Sequence, residues 1–135
     1  MKVFIDANIL FSASDPRSAT YRLFKLLVRH GELVANPHAW EEARRNLALK
    51  RPNHLDGLEA LRDLVGDTTA FKLPTSVAIP EKDQPIIGGA IGADCTHLWT
   101  SDRTHFGAYY GRKIDGVTVI SSTQLADLIA RLRAR

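Results

Sequence analysis

Val3, Phe4 and Ile5 form an unbroken run of three bulky apolar residues that ends directly on Asp6, and this junction constrains the fold more than any other feature of the chain. Alternating apolar and polar residues mark a strand wetted on one face. An unbroken run marks a strand covered on both, as in a parallel sheet flanked by helices. A carboxylate at the carboxyl end of such a strand stands where open parallel sheets bind their ligands.

The rest of the chain repeats the pattern. After Asp6-Ala7-Asn8, residues Ile9, Leu10 and Phe11 begin a helical segment that Asp15-Pro16 breaks. From Ser18, residues Ala19, Leu23, Leu26 and Leu27 recur at helical spacing as far as His30-Gly31. Leu33-Val34-Ala35 reads as a second strand. Asn36-Pro37 reads as an N-cap followed by proline at the first helical position, opening a helix to Lys50 with Ala39, Trp40, Ala43 and Leu47 inward. Leu55, Leu58, Leu61, Leu64 and Val65 predict a helix over 54–65 that Gly66 ends, and Thr68–Leu73 reads as a third strand. Residues 81–92 are expected to be helical around Ile86, Ile87, Ala90 and Ile91. Gly88 and Gly89 cost that helix about 1 kcal/mol each in propensity, which implies close packing against a neighbour. His97–Thr100 and Val117–Ile120 complete about five strands, and Ser121 or Ser122 caps a last helix with Leu125, Leu128, Ile129 and Leu132 inward. Strands alternating with helices define an α/β fold with a mostly parallel sheet, in one domain spanning residues 1–135.

Composition excludes several classes. With 44% hydrophobic and 24% charged residues the chain has an ordinary globular balance. No apolar run approaches the ~20 residues of a membrane helix, and the N-terminus lacks the apolar stretch and cleavage site of a signal peptide, so a cytoplasmic protein is expected. Cys95 is the single cysteine, which rules out an internal disulfide and reads as a small buried apolar residue. A net charge of +3 suits a nucleic-acid ligand but is weak ground by itself.

The chemistry collects on carboxylates. Asp6 follows the first strand, and Asp102 follows the fourth with only Ser101 between. Either alone reads as a helix N-cap. On neighbouring strands the two would lie within a few ångströms, an arrangement that calls for a cation or a proton between them. Asp83 opens its helix, and Glu42 or Glu41 stands beside the buried stripe of the third helix; helical geometry alone does not choose between the two glutamates. Such an oxygen-only set suits Mg²⁺ or Mn²⁺ rather than zinc, and the five histidines show no zinc spacing. No phosphate loop or nucleophile-elbow sequence is present.

These residues resemble the motifs of the PIN-domain family. Val3-Phe4-Ile5-Asp6-Ala7-Asn8-Ile9-Leu10 is similar to its first motif, a strand ending in Asp-x-Asn or Asp-x-Ser. Asn36-Pro37 followed by Glu42-Ala43-Arg44-Arg45-Asn46-Leu47 resembles the second, and that spacing selects Glu42 over Glu41. Asp83-Gln84-Pro85-Ile86-Ile87-Gly88-Gly89-Ala90 looks like the third. Leu98-Trp99-Thr100-Ser101-Asp102-Arg103-Thr104-His105-Phe106 resembles the fourth, commonly Thr-Gly-Asp, then a basic residue, ending near His-Phe. Ser101 departs from the frequent glycine. Thr104 places a hydroxyl where some members carry a further acid, which bears on the number of ions held. Residues 51–80 carry no motif.

The resemblance implies a three-layer α/β/α sandwich whose acids hold one or two Mg²⁺ or Mn²⁺ ions and cut RNA. Asp6, Glu42, Asp83 and Asp102 become the expected catalytic set, with Asp6, Asp83 and Asp102 as metal ligands. Asn8, Thr100 and Thr104 are expected to keep the carboxylates aimed, and Arg44, Arg45, Arg103, Arg112 and Lys113 to grip flanking phosphates. Small bacterial and archaeal members are commonly the toxin of a VapBC-type toxin–antitoxin pair, in which an antitoxin occludes the acidic groove and the toxin often forms a homodimer. The competing expectation is a non-catalytic PIN-like module that binds RNA or protein without needing metal. Phosphotransfer of the haloacid-dehalogenase kind would want Asp-x-Asp, and position 8 is Asn; a receiver domain lacks a convincing context for its lysine.

Overall fold

The computed structural model describes residues 1–134. Strand β1 (Lys2–Ile5) is followed by α1 (Ala7–Ala13) and α2 (Ala19–Val28), then β2 (Glu32–Ala35) and α3 (Pro37–Lys50). After a 3₁₀ turn at Pro52–His54 come α4 (Leu55–Leu61), β3 (Gly66–Asp67) and, beyond a second 3₁₀ turn at Glu81–Asp83, α5 (Gln84–Gly92). Then follow β4 (His97–Trp99), α6 (Arg103–Phe106), a third 3₁₀ turn at Gly107–Tyr109, β5 (Lys113–Ile114), β6 (Val117–Ile120) and α7 (Ser122–Arg133).

The strands form one mostly parallel sheet in the order β3-β2-β1-β4-β6-β5, with only β5 antiparallel among the described residues. From β1 the chain builds outward through β2 to β3, then returns to place β4 on the other side of β1. The β1/β4 boundary is therefore the point where winding reverses, and a crevice opens there beyond the strand ends. Val3, Phe4 and Ile5 have no solvent exposure, as the unbroken apolar run requires. The register pairs Phe4 with Leu98 and Ile5 with Trp99, so each pair shares a sheet face. Gly89 of α5 packs on Phe4, whereas Phe24 of α2 packs on Trp99 with ring centroids 5.9 Å apart. Helices thus cover both faces, giving the expected three-layer α/β/α sandwich.

Gly88 and Gly89 do mark close packing. A Cβ on Gly89 would lie 2.7 Å from Asn36 Nδ2 and 3.0 Å from the Phe4 ring. Gly88 is covered by the Phe71 ring, whose segment is tied to the helix by the Lys72 N–H donating to Gly88 O at 3.0 Å. Local capping also follows the sequence: Asn36 Oδ1 accepts from Ala39 N, and Ser121 with Gln124 forms a reciprocal capping box.

Four expectations are corrected. The third strand is Gly66–Asp67 rather than Thr68–Leu73: Gly66 and Asp67 pair with Val34 and Ala35 of β2, the Thr68 N–H still donates to Ala35 O at 3.1 Å, and the chain then turns away across α5. The helix expected over 54–65 is α-helical only at Leu55–Leu61, while Val65 is buried beyond its end. The helix expected over 81–92 begins as a 3₁₀ turn, leaving Asp83 at the N-cap position of α5. A sixth strand, β5, folds back on β6 through Asp115 and Gly116, both at positive φ; this Asp-Gly pair is the signal for a tight hairpin. On α2 the fully buried residues are Phe24 and Leu27, with Leu23 and Leu26 half-buried and Ala19 exposed.

Gly57 gives a direct test of packing, since a Cβ there would lie 1.9 Å from the Ser14 carbonyl oxygen, a backbone atom that cannot swing aside. Gly57→Ala is expected to lower unfolding free energy in urea by roughly 1–3 kcal/mol through overpacking. Gly66→Ala, with its nearest neighbours at 3.6 Å, should cost much less.

Candidate active site

A cleft of about 410 Å³ opens at the β1/β4 boundary, lined by Asp6, Glu42, Asp83 and Asp102 together with residues of α1, α3 and α6. The four acids expected from the sequence thus face one space, brought there by four different routes. Asp6 ends β1 and accepts the Ala7 N–H at Oδ1, 2.6 Å away. Its Oδ2 accepts from the Thr100 hydroxyl at 2.7 Å and from Asn8 Nδ2 at 3.2 Å. Asp6 is only 4% exposed, and burial pushes its carboxyl up to about 6. Hydrogen bonds from Thr100 and Ala7 pull against that shift, while the nearby charges of Glu42 and Asp102 add to it.

Asn8 and Thr100 tie the two strand ends together. Asn8 Oδ1 accepts the Ser101 N–H at 3.0 Å, and Thr100 Oγ1 accepts the Asp102 N–H at 3.1 Å. Thr100 is completely buried. The loop carrying Asp102 is therefore fixed to the loop carrying Asp6 by side chains 92–94 residues apart in sequence.

Asp102 caps the short helix α6, accepting the His105 N–H at Oδ1, 3.0 Å away. Its Oδ2 lies 2.7 Å from His105 Nδ1, and the same nitrogen lies 3.3 Å from Asp83 Oδ1. Asp83, 8% exposed, leaves Oδ2 buried with no hydrogen-bond partner among the described residues. Donor atoms of Asp83, Asp102 and His105 all lie within 4.8 Å of one another. Asp6 lines the same cleft outside this cluster, with both of its oxygens already accepting hydrogen bonds.

The structure separates the two glutamates. Glu42 is half-buried and lines the cleft, whereas Glu41 is exposed and pairs with Arg44 at 2.5 Å. Arg45 also reaches toward Glu41, at 4.0 Å, so both arginines lie on the outer face of α3. Arg103 borders a neighbouring depression that shares Ser101 with the cleft. Lys113 lines a separate hollow with Asp94, Cys95 and His97, and neither it nor Arg112 borders the cleft. Thr104 is exposed on α6 and does not line the cleft either.

Polar residues outside the expected catalytic set also line the cleft, among them His38, Asn46, Lys50, Lys82 and His105. A signal was present for most of them. His38, Glu42, Asn46 and Lys50 recur every fourth residue of α3, one polar stripe beside the buried one. Asp102 and His105 are spaced i, i+3 on α6. Lys50 and Lys82 bring positive charge to the cleft, as an anionic ligand would require.

Structural comparison places this fold beside known proteins. The chain superposes on a chain of VapBC2 from Rickettsia felis, solved bound to a DNA fragment from its promoter, with a TM-score of 0.63 and 14% identity over 90% of this chain and 98% of that one. It superposes on a PilT N-terminus domain protein from Sulfolobus solfataricus P2 with a TM-score of 0.55 and 15% identity, over 96% and 93% of the respective chains. No protein-family profile and no curated protein sequence matches the chain. The fold is the PIN-like α/β/α fold that the four sequence motifs implied. Among the described residues, no helix is long and apolar enough to cross a membrane.

Proposed function

We propose that this protein is a Mg²⁺- or Mn²⁺-dependent endoribonuclease acting as the toxin of a VapBC-type pair. The observation that carries the reading is Asp83, whose Oδ2 is a buried carboxylate oxygen without a partner and which lines a cleft together with Asp6, Glu42 and Asp102. An unpaired buried carboxylate oxygen is costly, and an oxygen-rich cavity at this boundary fits a hard divalent cation. Asp83 and Asp102 would hold one or two ions, with Asp6 contributing from the β1 end. Bound there, the cation supplies Lewis-acid polarisation of a phosphodiester and acidification of a water.

The remaining chemistry belongs to the chain. Thr100 and Asn8 hold the Asp6 carboxylate in one rotamer. Glu42 stands across the cleft as the proton acceptor for an attacking water. Lys50 and Lys82 bind the phosphates flanking the scissile bond, with Arg103 at the neighbouring depression extending the track. Arg44 and Arg45, held by Glu41 on the outer face of α3, and Arg112 and Lys113, away from the cleft, meet RNA only if it wraps well beyond the site.

The VapBC2 likeness supports a protein antitoxin as partner, covering the cleft when RNA is not bound; a homodimer is part of the same reading. Purified protein is expected to cleave a mixed RNA pool with Mg²⁺ or Mn²⁺ and to stop when chelator is added. RNA affinity should fall steeply with salt, and with a shallower slope once Lys50 and Lys82 are replaced by Ala. Metal-independent RNA binding without cleavage would instead identify a non-catalytic module.

A further inference from the structure

We propose that His105 is a ligand to the cation through Nδ1, beside Asp83 and Asp102, and that this nitrogen makes the site prefer Mn²⁺ to Mg²⁺. The inference rests on the metal-site reading above and deepens it. His105 Nδ1 lies 2.7 Å from Asp102 Oδ2 and 3.3 Å from Asp83 Oδ1. A six-coordinate ion with ligands at roughly 2.1 Å spaces adjacent donors about 3 Å apart, so these two separations bracket what such an ion requires.

Hydrogen bonding alone accounts for the cluster poorly. Nδ1 carries at most one hydrogen, which serves one carboxylate oxygen well and leaves the contact to the other acid without a proton. Asp83 Oδ2, buried and unpartnered, gains nothing from the imidazole. A cation among the three side chains would be met by one oxygen of each acid and by Nδ1, which lie within 4.8 Å of one another. Imidazole nitrogen favours transition-metal ions, whereas Mg²⁺ is held through oxygen donors and water. An Asp-Asp-His set therefore shifts selectivity towards Mn²⁺ in a way that an all-carboxylate set does not.

The test is direct metal binding rather than turnover. Mn²⁺ and Mg²⁺ are titrated calorimetrically into the parent, His105→Gln and, as a control for the other cleft histidine, His38→Gln. The Mn²⁺-loaded proteins, prepared with ¹⁵N-histidine, are examined by pulsed electron paramagnetic resonance. The parent and His38→Gln should show the coupling of a directly bound imidazole nitrogen, and His105→Gln should not. His105→Gln should weaken Mn²⁺ binding about 10–100-fold while changing Mg²⁺ binding by less than about threefold. Mn²⁺ bound without nitrogen coupling in the parent, or equal weakening of both ions in His105→Gln, overturns the nitrogen ligand and leaves the carboxylate site standing. Absence of binding by either ion to the folded parent overturns the metal-nuclease reading as well. The parent's nitrogen coupling decides the matter even if His105→Gln fails to fold.

Discussion

Asp83→Asn is expected to reduce RNA cleavage by at least on the order of 10²-fold in both Mg²⁺ and Mn²⁺, the scale of losing one preorganised electrostatic contact in a catalytic site. The substitution keeps the shape of the side chain and removes its charge. It replaces one carboxylate oxygen with an amide nitrogen, which cannot ligate a hard cation. The affected pair is the unpartnered Oδ2 and the oxygen facing His105, so loss of the cation is the main consequence. Asp83 accepts no hydrogen bond from the backbone of α5, whose N-cap has no side-chain bond. Far-ultraviolet circular dichroism and RNA affinity without metal should therefore stay close to the parent. Single-turnover cleavage of a labelled RNA reads the effect; a rate within about tenfold of the parent would remove Asp83 from the mechanism.

Asp6→Asn is expected to abolish cleavage and, without metal, to make the folded protein more stable at neutral pH. The Asp6 carboxyl is pushed from 3.8 to about 6 in the folded chain, chiefly by burial. Below the lower value both folded and unfolded chains carry the proton, and the group contributes nothing. Between the two the unfolded chain releases its proton while the folded one keeps it, so stability falls as pH rises. Above about 6 both are ionised, and the folded state carries a penalty on the order of 3 kcal/mol. Asn removes that penalty and still offers an acceptor to the Ala7 N–H, although its amide would then face that of Asn8. Urea unfolding should show the variant ahead by up to about 3 kcal/mol near pH 7.5, with the gap closing towards pH 4. Saturating Mg²⁺ should narrow the gap at neutral pH by stabilising the parent through mass action. A gap independent of pH would show that Asp6 is not destabilised by burial.

Together these two results would separate function from stability within one cleft. A carboxylate that costs folding energy without metal, and is indispensable with it, is there for its ligand.

Most of the architecture was legible before any coordinates. The apolar run at Val3–Ile5, the N-cap at Asn36 and a serine cap at Ser121 or Ser122 are decided by neighbours in the chain, because backbone hydrogen bonding and side-chain periodicity are local, and the structure selects Ser121. The order of strands and helices therefore followed from sequence, as did the position of Asp6 at a strand end. The Asp115-Gly116 hairpin was equally local, and its signal was present in the turn residues. The displaced third strand was different in kind. Thr68–Leu73 has strand-forming residues, but past Thr68, whose N–H still donates to Ala35 of β2, the chain leaves the sheet and the Lys72 N–H bonds to Gly88 of α5.

The site divides along the same line. The sequence by itself placed Asp6, Asp83 and Asp102 at element ends, where the topology of a parallel sheet gathers them. Motif spacing selected Glu42 over Glu41 where helical geometry alone left both open, and the tertiary structure supplied the physical reason, since one residue turns the helix by about 100° and the rest of the fold determines which direction is the cleft. The tertiary structure alone turned Arg44 and Arg45 to the outer face and set Lys50 and Lys82, both exposed, along the cleft. It alone set His105 between two acids, one three residues away and the other twenty-two. Such contacts depend on where distant elements pack, and packing is a property of the whole core rather than of any stretch of chain.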